Sequence, residues 1–379
     1  MKSVVIYTKQ LSFILILAWI CFANTGCQEQ KVTTDNKQIV YWFSQLTLQR
    51  NRNLDSMQFY SKLLDSASIN QNNEALAMAA IGRALVQSNL ANYQTALREY
   101  AQAEKLLINS TDENLKGRVA GGQGTANTNL GNYVTAMEKL LQALRIFEKT
   151  GYYEGESGVY SQISQVYQLK GELSTAKFYV LKGLQVMQND QLSNPYLVNL
   201  HTLANIYGMG GQLDSALYID AIGMKLCDDF KSSFLKSMFY DNKANCFVEL
   251  NKFDSAAYFY RSCLEIDSAH GNVKQVSDTY LNMGGMYFKK GELNTAISHI
   301  QRSIVLANQT GYLFGKQGAY EMLSQIYKAQ NNPLKALEAK DSTANIKNKI
   351  INSKSETKIA ELTALYESEK REQTILLQQ

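Results

Sequence analysis

The sequence predicts an all-α solenoid of about eight helix pairs followed by one long C-terminal helix. Three observations carry that prediction. Ala96, Ala136, Ala176, Ala216, Ala256, Ala296 and Ala336 stand 40 residues apart, six steps running. A fixed period of roughly 20–50 residues marks a chain of stacked structural units. Each alanine closes a recurring stretch, as in Gly291-Glu292-Leu293-Asn294-Thr295-Ala296 and its near-copy Gly171-Glu172-Leu173-Ser174-Thr175-Ala176. Only 2 prolines occur in 379 residues. Pro195 and Pro333 both fall in predicted loops, so long helices run uninterrupted between them.

Within one unit, each column has a physical reason. Five residues before the alanines stand Ala91, Gly131, Gly171, Gly211, Asn251, Gly291 and Asn331. Gly and Asn tolerate the left-handed backbone that ends a helix. Ser174, Asp214, Asp254 and Asn294, two residues before their alanines, are expected to cap the next helix by accepting from its free N–H groups. The alanine itself is small because two helices cross there, and a leucine would overpack at a cost of roughly 1–3 kcal/mol. Twelve residues earlier is a second small column: Ala84, Gly124, Ser164, Ala204, Ala244, Gly284, Ser324. Seven residues later is a third: Ala103, Ala143, Gly183, Gly223, Cys263, Ser303, Thr343. Tyr167, Tyr207, Phe247, Tyr287 and Tyr327 stand nine residues before their alanines.

Small, aromatic and small residues at these offsets describe a helix–turn–helix unit with closely packed helices. At this point the chain resembles the tetratricopeptide repeat family, with that family's 34-residue pattern lengthened to 40 over about residues 37–345. The resemblance implies a right-handed α-α superhelix whose first helices line a concave face.

In chain order, residues 1–27 form a targeting segment. Lys2 and Lys9 are its basic part, and Leu11 to Ala23 is an apolar run of 13 residues broken only by Ser12. That run is short for a span of about 20 residues. Its end, Asn24-Thr25-Gly26-Cys27, resembles a bacterial lipobox, with Asn24 where that motif prefers leucine. Lipidation at Cys27 is the favoured outcome; cleavage after Ala23 or Gly26, or an uncleaved anchor, are the alternatives. Each places the rest of the chain in the cell envelope, on the periplasmic side of the membrane. Residues 28–36 form a short linker. Residues 37–75 form a degenerate first repeat, in which Leu54-Asp55-Ser56-Met57 echoes Leu213-Asp214-Ser215-Ala216 with the register one residue short. Its Tyr41-Trp42-Phe43 cluster is expected to cap the stack. The solenoid continues to residue 345. Thr150-Gly151-Tyr152 and Thr310-Gly311-Tyr312 are matching loops four periods apart.

Residues 346–379 leave the repeat as a long charged helix. Ile359, Leu362, Tyr366, Glu369, Gln373 and Leu376 follow 3-4-3-4-3 spacing, a weak coiled-coil seam through which two copies could pair. The stretch Glu361-Leu362-Thr363-Ala364-Leu365-Tyr366-Glu367-Ser368-Glu369-Lys370-Arg371-Glu372 is similar to the helix that follows the repeat-containing sensor region of bacterial sensor histidine kinases. The kinase's phosphoacceptor helix and nucleotide lid are absent from the sequence.

The balance of charge, +4 overall, and the lack of a basic stripe with aromatics argue against nucleic acid. His201, His270 and His299 stand far apart and form no ligand pattern, so neither metal nor histidine catalysis is expected, and no cofactor is implied. Cys227, Cys246 and Cys263 have spacings unlike zinc pairs and are expected to be buried small side chains. Gly121-Gly122-Gln123-Gly124 lacks the Lys and Ser/Thr of a phosphate loop and is expected to be a locally weakened helix.

Eleven residues before the alanines, four amides recur: Gln165, Asn205, Asn245 and Gln325. With His201 and Asp241, fifteen before theirs, they make the most polar cluster on the first helices and the candidate ligand site. An amide ladder can donate to and accept from a peptide backbone. Arg118 alone stands near a carboxylate-clamp position, so capture of acidic C-terminal peptides is not expected. The sequence thus predicts an exported, membrane-anchored scaffold, not an enzyme, that binds a protein or peptide. Its resemblance implies the sensory module of a histidine kinase-type signalling system. The alternative is a free-standing envelope lipoprotein that serves protein assembly or uptake, for which pairing through 346–379 is not required.

Overall fold

The structure is a computed structural model that describes residues 36–50, 53–68, 72–350 and 353–378. The targeting segment, Cys27 and residues 28–35 of the linker lie outside the described residues. In chain order the helices are α1 (Asn36–Gln49), α2 (Leu54–Ser68), α3 (Asn73–Asn89), α4 (Tyr93–Leu106), α5 (Glu113–Asn129), α6 (Tyr133–Thr150), α7 (Tyr153–Leu169), α8 (Leu173–Val186), α9 (Asn194–Met209), α10 (Leu213–Phe230), α11 (Ser233–Glu249), α12 (Phe253–Ala269), α13 (Val273–Lys290), α14 (Leu293–Thr310), α15 (Leu313–Ala329), α16 (Pro333–Ile350) and α17 (Ser353–Gln378). The first sixteen pack as eight consecutive antiparallel pairs, an α solenoid. Residues 36–379 form one compact unit.

The small columns are where the helices cross. All seven alanines are buried, six of them at 0 % exposure. The column twelve residues earlier lies directly on their carbonyls: Ser164 Oγ donates to the Ala176 carbonyl at 2.8 Å and Ser324 Oγ to that of Ala336 at 2.9 Å. A Cβ added at Gly124 would stand 3.2 Å from the Ala136 carbonyl oxygen. The third column faces the next pair. A Cβ at Gly223 would enter the Phe239 ring at 2.2 Å, and Cys263 Sγ donates to the Ser237 carbonyl at 3.3 Å. One column thus joins the helices within a pair and the other joins successive pairs.

The helix-stop column takes the left-handed backbone at every position, with φ from 53° at Asn331 to 87° at Gly291. Ala91 does so at φ 59° without glycine's freedom. The first repeat keeps the frame despite its shifted register: α2 starts three residues before Met57, which is buried in the alanine's place. In its aromatic cluster Phe43 is buried, Trp42 packs against the same core and Tyr41 is exposed.

The structure corrects the expected caps. Ser174, Asp214, Asp254 and Asn294 are second residues of their helices and not N-caps. The preceding position opens each second helix, and Glu172, Gln212, Lys252 and Glu292 make no side-chain cap there. Their ψ of 62–69° keeps them out of the extended region from which a capping side chain reaches forward. Side-chain caps sit on first helices, at Asn72, Asp112, Ser193, Ser232 and Asn272, and on the second helices of the two end pairs, where Asn53 accepts from the Ser56 N–H and Asn332 from that of Lys335. Pro195 and Pro333 lie in first turns and not in loops. There a missing N–H costs nothing. Gly122 lies within the continuous helix α5; a Cβ there would enter the Tyr100 ring at 2.2 Å, so the glycine lets α4 and α5 close.

The tail is the largest departure from a linear stack. Helix α17 turns back onto α6, α7 and α8. Ile359 and Tyr366 are buried there and Leu362 packs against the same core, while Gln373 and Leu376 remain exposed. The first part of the expected coiled-coil stripe therefore meets the chain's own solenoid. Glu148 accepts from Tyr366 Oη at 2.7 Å, from Tyr160 Oη at 3.1 Å and from Lys370 Nζ. Lys182 pairs with Glu367 at 3.2 Å, Arg145 with Glu369 at 2.8 Å, and Tyr167 Oη meets Thr363 Oγ1 at 2.9 Å. No helix among the described residues is long and apolar enough to cross a membrane.

Candidate functional site: an amide-lined groove

Successive first helices contact one another across the pairs, as elements on the inside of a curved stack must. On each, the residues 18, 14, 11 and 7 before the alanine share one helical face. On α9, α11, α13 and α15 these faces line a groove with a cavity of about 920 Å³. Glycine makes the room: Gly208, Gly285 and Gly318 all line it. At Gly285 an added Cβ would meet only Met322, at 3.5 Å.

Of the predicted residues, Asn205, Asn245 and Gln325 line the cavity. Asp241 stands behind them. It accepts from Asn245 Nδ2 at 3.1 Å and from Asn282 Nδ2 at 3.1 and 3.2 Å. Burial, with Asp278 adding to it, raises the Asp241 carboxyl to about 6 against the pull of Asn282, Asn245 and Lys274. His201 is not among the lining residues. Its ring meets Phe239 edge-on at 5.7 Å, and its carbonyl accepts from Asn242 at 3.2 Å. Burial lowers its imidazole to about 4, with Lys274 adding to the effect, so the ring is neutral. Gln165 is half-buried on α7 and does not line the cavity, which starts at α9.

The structure adds residues that sequence reasoning missed: Asn242, Asn282, Glu249, Lys289 and Glu321. Four of them stand 14 or 7 residues before their alanines, one helical turn on either side of the amide column, and that spacing is the signal that finds them. Asn242 ties the groove to the core. Its Nδ2 reaches Asp220 Oδ1 at 3.4 Å and its Oδ1 accepts from Asn205 at 3.2 Å. Asp220 is wholly buried, and desolvation raises it to about 8. Tyr260 Oη donates to Asn245 Oδ1 at 2.6 Å. Lys289 pairs with Glu249 at 3.0 Å. Among the described residues no group of three or more His, Cys, Asp or Glu could hold a metal ion, and Cys227, Cys246 and Cys263 are free and buried. The other predicted basic group, Arg118, is bound to Tyr152 Oη at 2.6 Å and lies over its ring and that of Phe43.

Residues 239–270, which carry the centre of this groove, match the tetratricopeptide repeat family model. No curated protein sequence matches the chain. Among solved structures the chain is similar to a Rap protein complexed with competence and sporulation factor, at 13 % identity over 90 % of this chain and 93 % of that one, with a TM-score of 0.66. It is similar to NprR in complex with its cognate peptide NprX, at 18 % identity over 83 % and 88 % of the two chains and a TM-score of 0.59. It is also similar to the Rap conjugation gene regulator of plasmid pLS20 in complex with the Phr* peptide, at 12 % identity over 83 % and 97 % and a TM-score of 0.60. At these identities the likeness is one of fold. The chain is a helical repeat protein of the tetratricopeptide type.

Proposed function

We propose that this chain is a non-enzymatic scaffold that binds a peptide, or an extended segment of a protein, in the groove of α9, α11, α13 and α15. The observation that carries it is a cavity walled by five amides on helices that cross at buried small residues. Three neighbours in fold whose structures contain a peptide or factor support the reading. We further propose that the chain is exported and held at the envelope through Cys27, as the sensory or interaction module of a signalling system. A second reading, a free-standing envelope adaptor, gains from the tail: much of its apolar stripe is spent on the chain's own solenoid, leaving less of it to pair two copies.

Gly285→Leu tests the groove. It fills the cavity from a site with open space and replaces a poor helix former, so the melting temperature holds while peptide affinity drops at least about 10-fold, some 1.4 kcal/mol. Unchanged binding by this variant rejects the groove. The intact mass of the native protein from its membrane fraction tests the anchor: a chain beginning at an acylated Cys27 is the expected result, and an unmodified one removes it.

A further inference from the structure

Hydrogen bonds fix the orientation of most of the groove's amides. An ionised carboxylate has only acceptors, so Asp241 fixes Asn245 and Asn282 with their NH2 groups toward the protein. Asn242 turns its NH2 to the His201 carbonyl and Asp220, and Asn205 spends an N–H on Asn242. Asn205 Oδ1, Asn282 Oδ1 and the whole amide of Gln325, oxygen and NH2 alike, are left without a hydrogen-bond partner among the described residues, and all three residues line the cavity. Glu321, on α15, is exposed in the same groove, and no ion pair engages it among the described residues. The one basic residue of the lining, Lys289, is paired with Glu249. The groove is therefore rich in acceptors and acidic, against the chain's net charge of +4.

We infer that the groove is a cation seat. It takes an arginine or lysine side chain of the bound peptide at the Glu321 carboxylate, with Asn282 Oδ1 on the contacting helix α13 as the second acceptor. This rests on the peptide-binding reading above and names its ligand chemistry. Charge-assisted bonds to a carboxylate and to a fixed carbonyl are the strongest that such a lining offers. Preorganisation adds to them, because Asp241 has already oriented the amides. Asp241 is a positioning residue: its carboxyl, at about 6, is ionised at neutral pH and holds the NH2 groups inward.

The test titrates the full chain, purified in detergent, with three acetylated and amidated heptapeptide pools, random except for a central Arg, Gln or Glu. The Arg pool is expected to bind at least about 10-fold more tightly than the Glu pool, with Gln between them. Glu321→Gln, at an exposed position, is expected to shrink the Arg-to-Glu ratio several-fold. Asp241→Asn does the same by letting the amides turn over, without touching the ligand. Equal binding of all three pools that Gly285→Leu weakens overturns the cation seat and leaves peptide binding standing. Preference for the Glu pool, or a ratio indifferent to Glu321→Gln, also overturns the seat. If no pool binds, the peptide-binding reading falls and the seat with it.

Discussion

Two surfaces of one solenoid are finished in opposite ways. The tail's seat on α6, α7 and α8 is built from rings and ion pairs: Tyr167 stacks on Tyr179 at 5.6 Å, and Glu148 gathers Tyr160, Tyr366 and Lys370. The groove on α9, α11, α13 and α15 is built from short amides with glycines between them, and keeps a cavity. Tyr160 and Tyr167 stand 16 and 9 residues before Ala176, about half a helical turn away from the offsets that face the groove. The repeat provides the same backbone to both surfaces. Side-chain length then decides the outcome: phenols reach across and close a surface, whereas amides held back by their own hydrogen bonds leave space for something else.

The comparison can be broken at its closed side first. Tyr366 is 2 % exposed. Tyr366→Ala removes the ring and leaves Glu148 short of a donor, at a cost in the range of about 3–5 kcal/mol for a large buried aromatic. Hydrogen exchange is expected to show α17 losing protection while α9 to α13 keep theirs. Protection unchanged in α17 would mean that the ring does not hold the tail.

The open side is sharpened by overpacking. Ala256 is 0 % exposed at the crossing of α11 and α12. Ala256→Leu is expected to cost about 1–3 kcal/mol. Thermal melts should rank it above Leu217→Ala, which trims a half-buried side chain, and a reversed order would undo the assigned register.

The third effect depends on pH. Desolvation raises Asp220 from 3.8 to about 8 and Asp267 to about 7, so the folded chain holds these protons more tightly than the unfolded one. Their contribution to stability is whole below pH 3.8 and is lost as pH rises through 7 to 8. The slope is about 1.4 kcal/mol per pH unit for each group between 3.8 and its folded value of about 7 or 8. Denaturant melts should therefore show stability falling across that interval, less steeply in Asp220→Asn. A slope unaltered by that substitution would place the ionisation elsewhere.

The frame was legible because its constraints are local and repeated. A left-handed residue at each helix stop and a small residue at each crossing leave a mark every 40 residues, and Ala91, Asn251 and Asn331 obey it as the glycines do. The caps were misplaced by two residues because the helix starts earlier than its Ser or Asp suggests, and the long side chains of Glu172 and Gln212 at the true N-cap make no cap bond, whereas Asn332 at the same place in the last pair does. Half of the proposed site came from one column, and Asn242 and Asn282 stood one turn away on the same face. His201 looked like a groove residue in sequence, yet its half-buried ring turns to Phe239 of the next pair. The destination of the tail left no periodic trace at all. Its stripe shows that Ile359 and Tyr366 need a partner but not which one.

Nearly every other contact in the molecule joins a helix to the next pair or two, so the stack can assemble by propagation from any starting pair. The tail cannot. Arg145 meets Glu369 across 224 residues of chain and Glu148 meets Tyr366 across 218. Closing so long a loop gains nothing until α6, α7 and α8 already present their surface. Docking of α17 is thus expected to follow the folding of α6, α7 and α8. A chain emerging from synthesis completes α6, α7 and α8 about 170 residues before the helix that covers them, and their tyrosines face solvent for that interval.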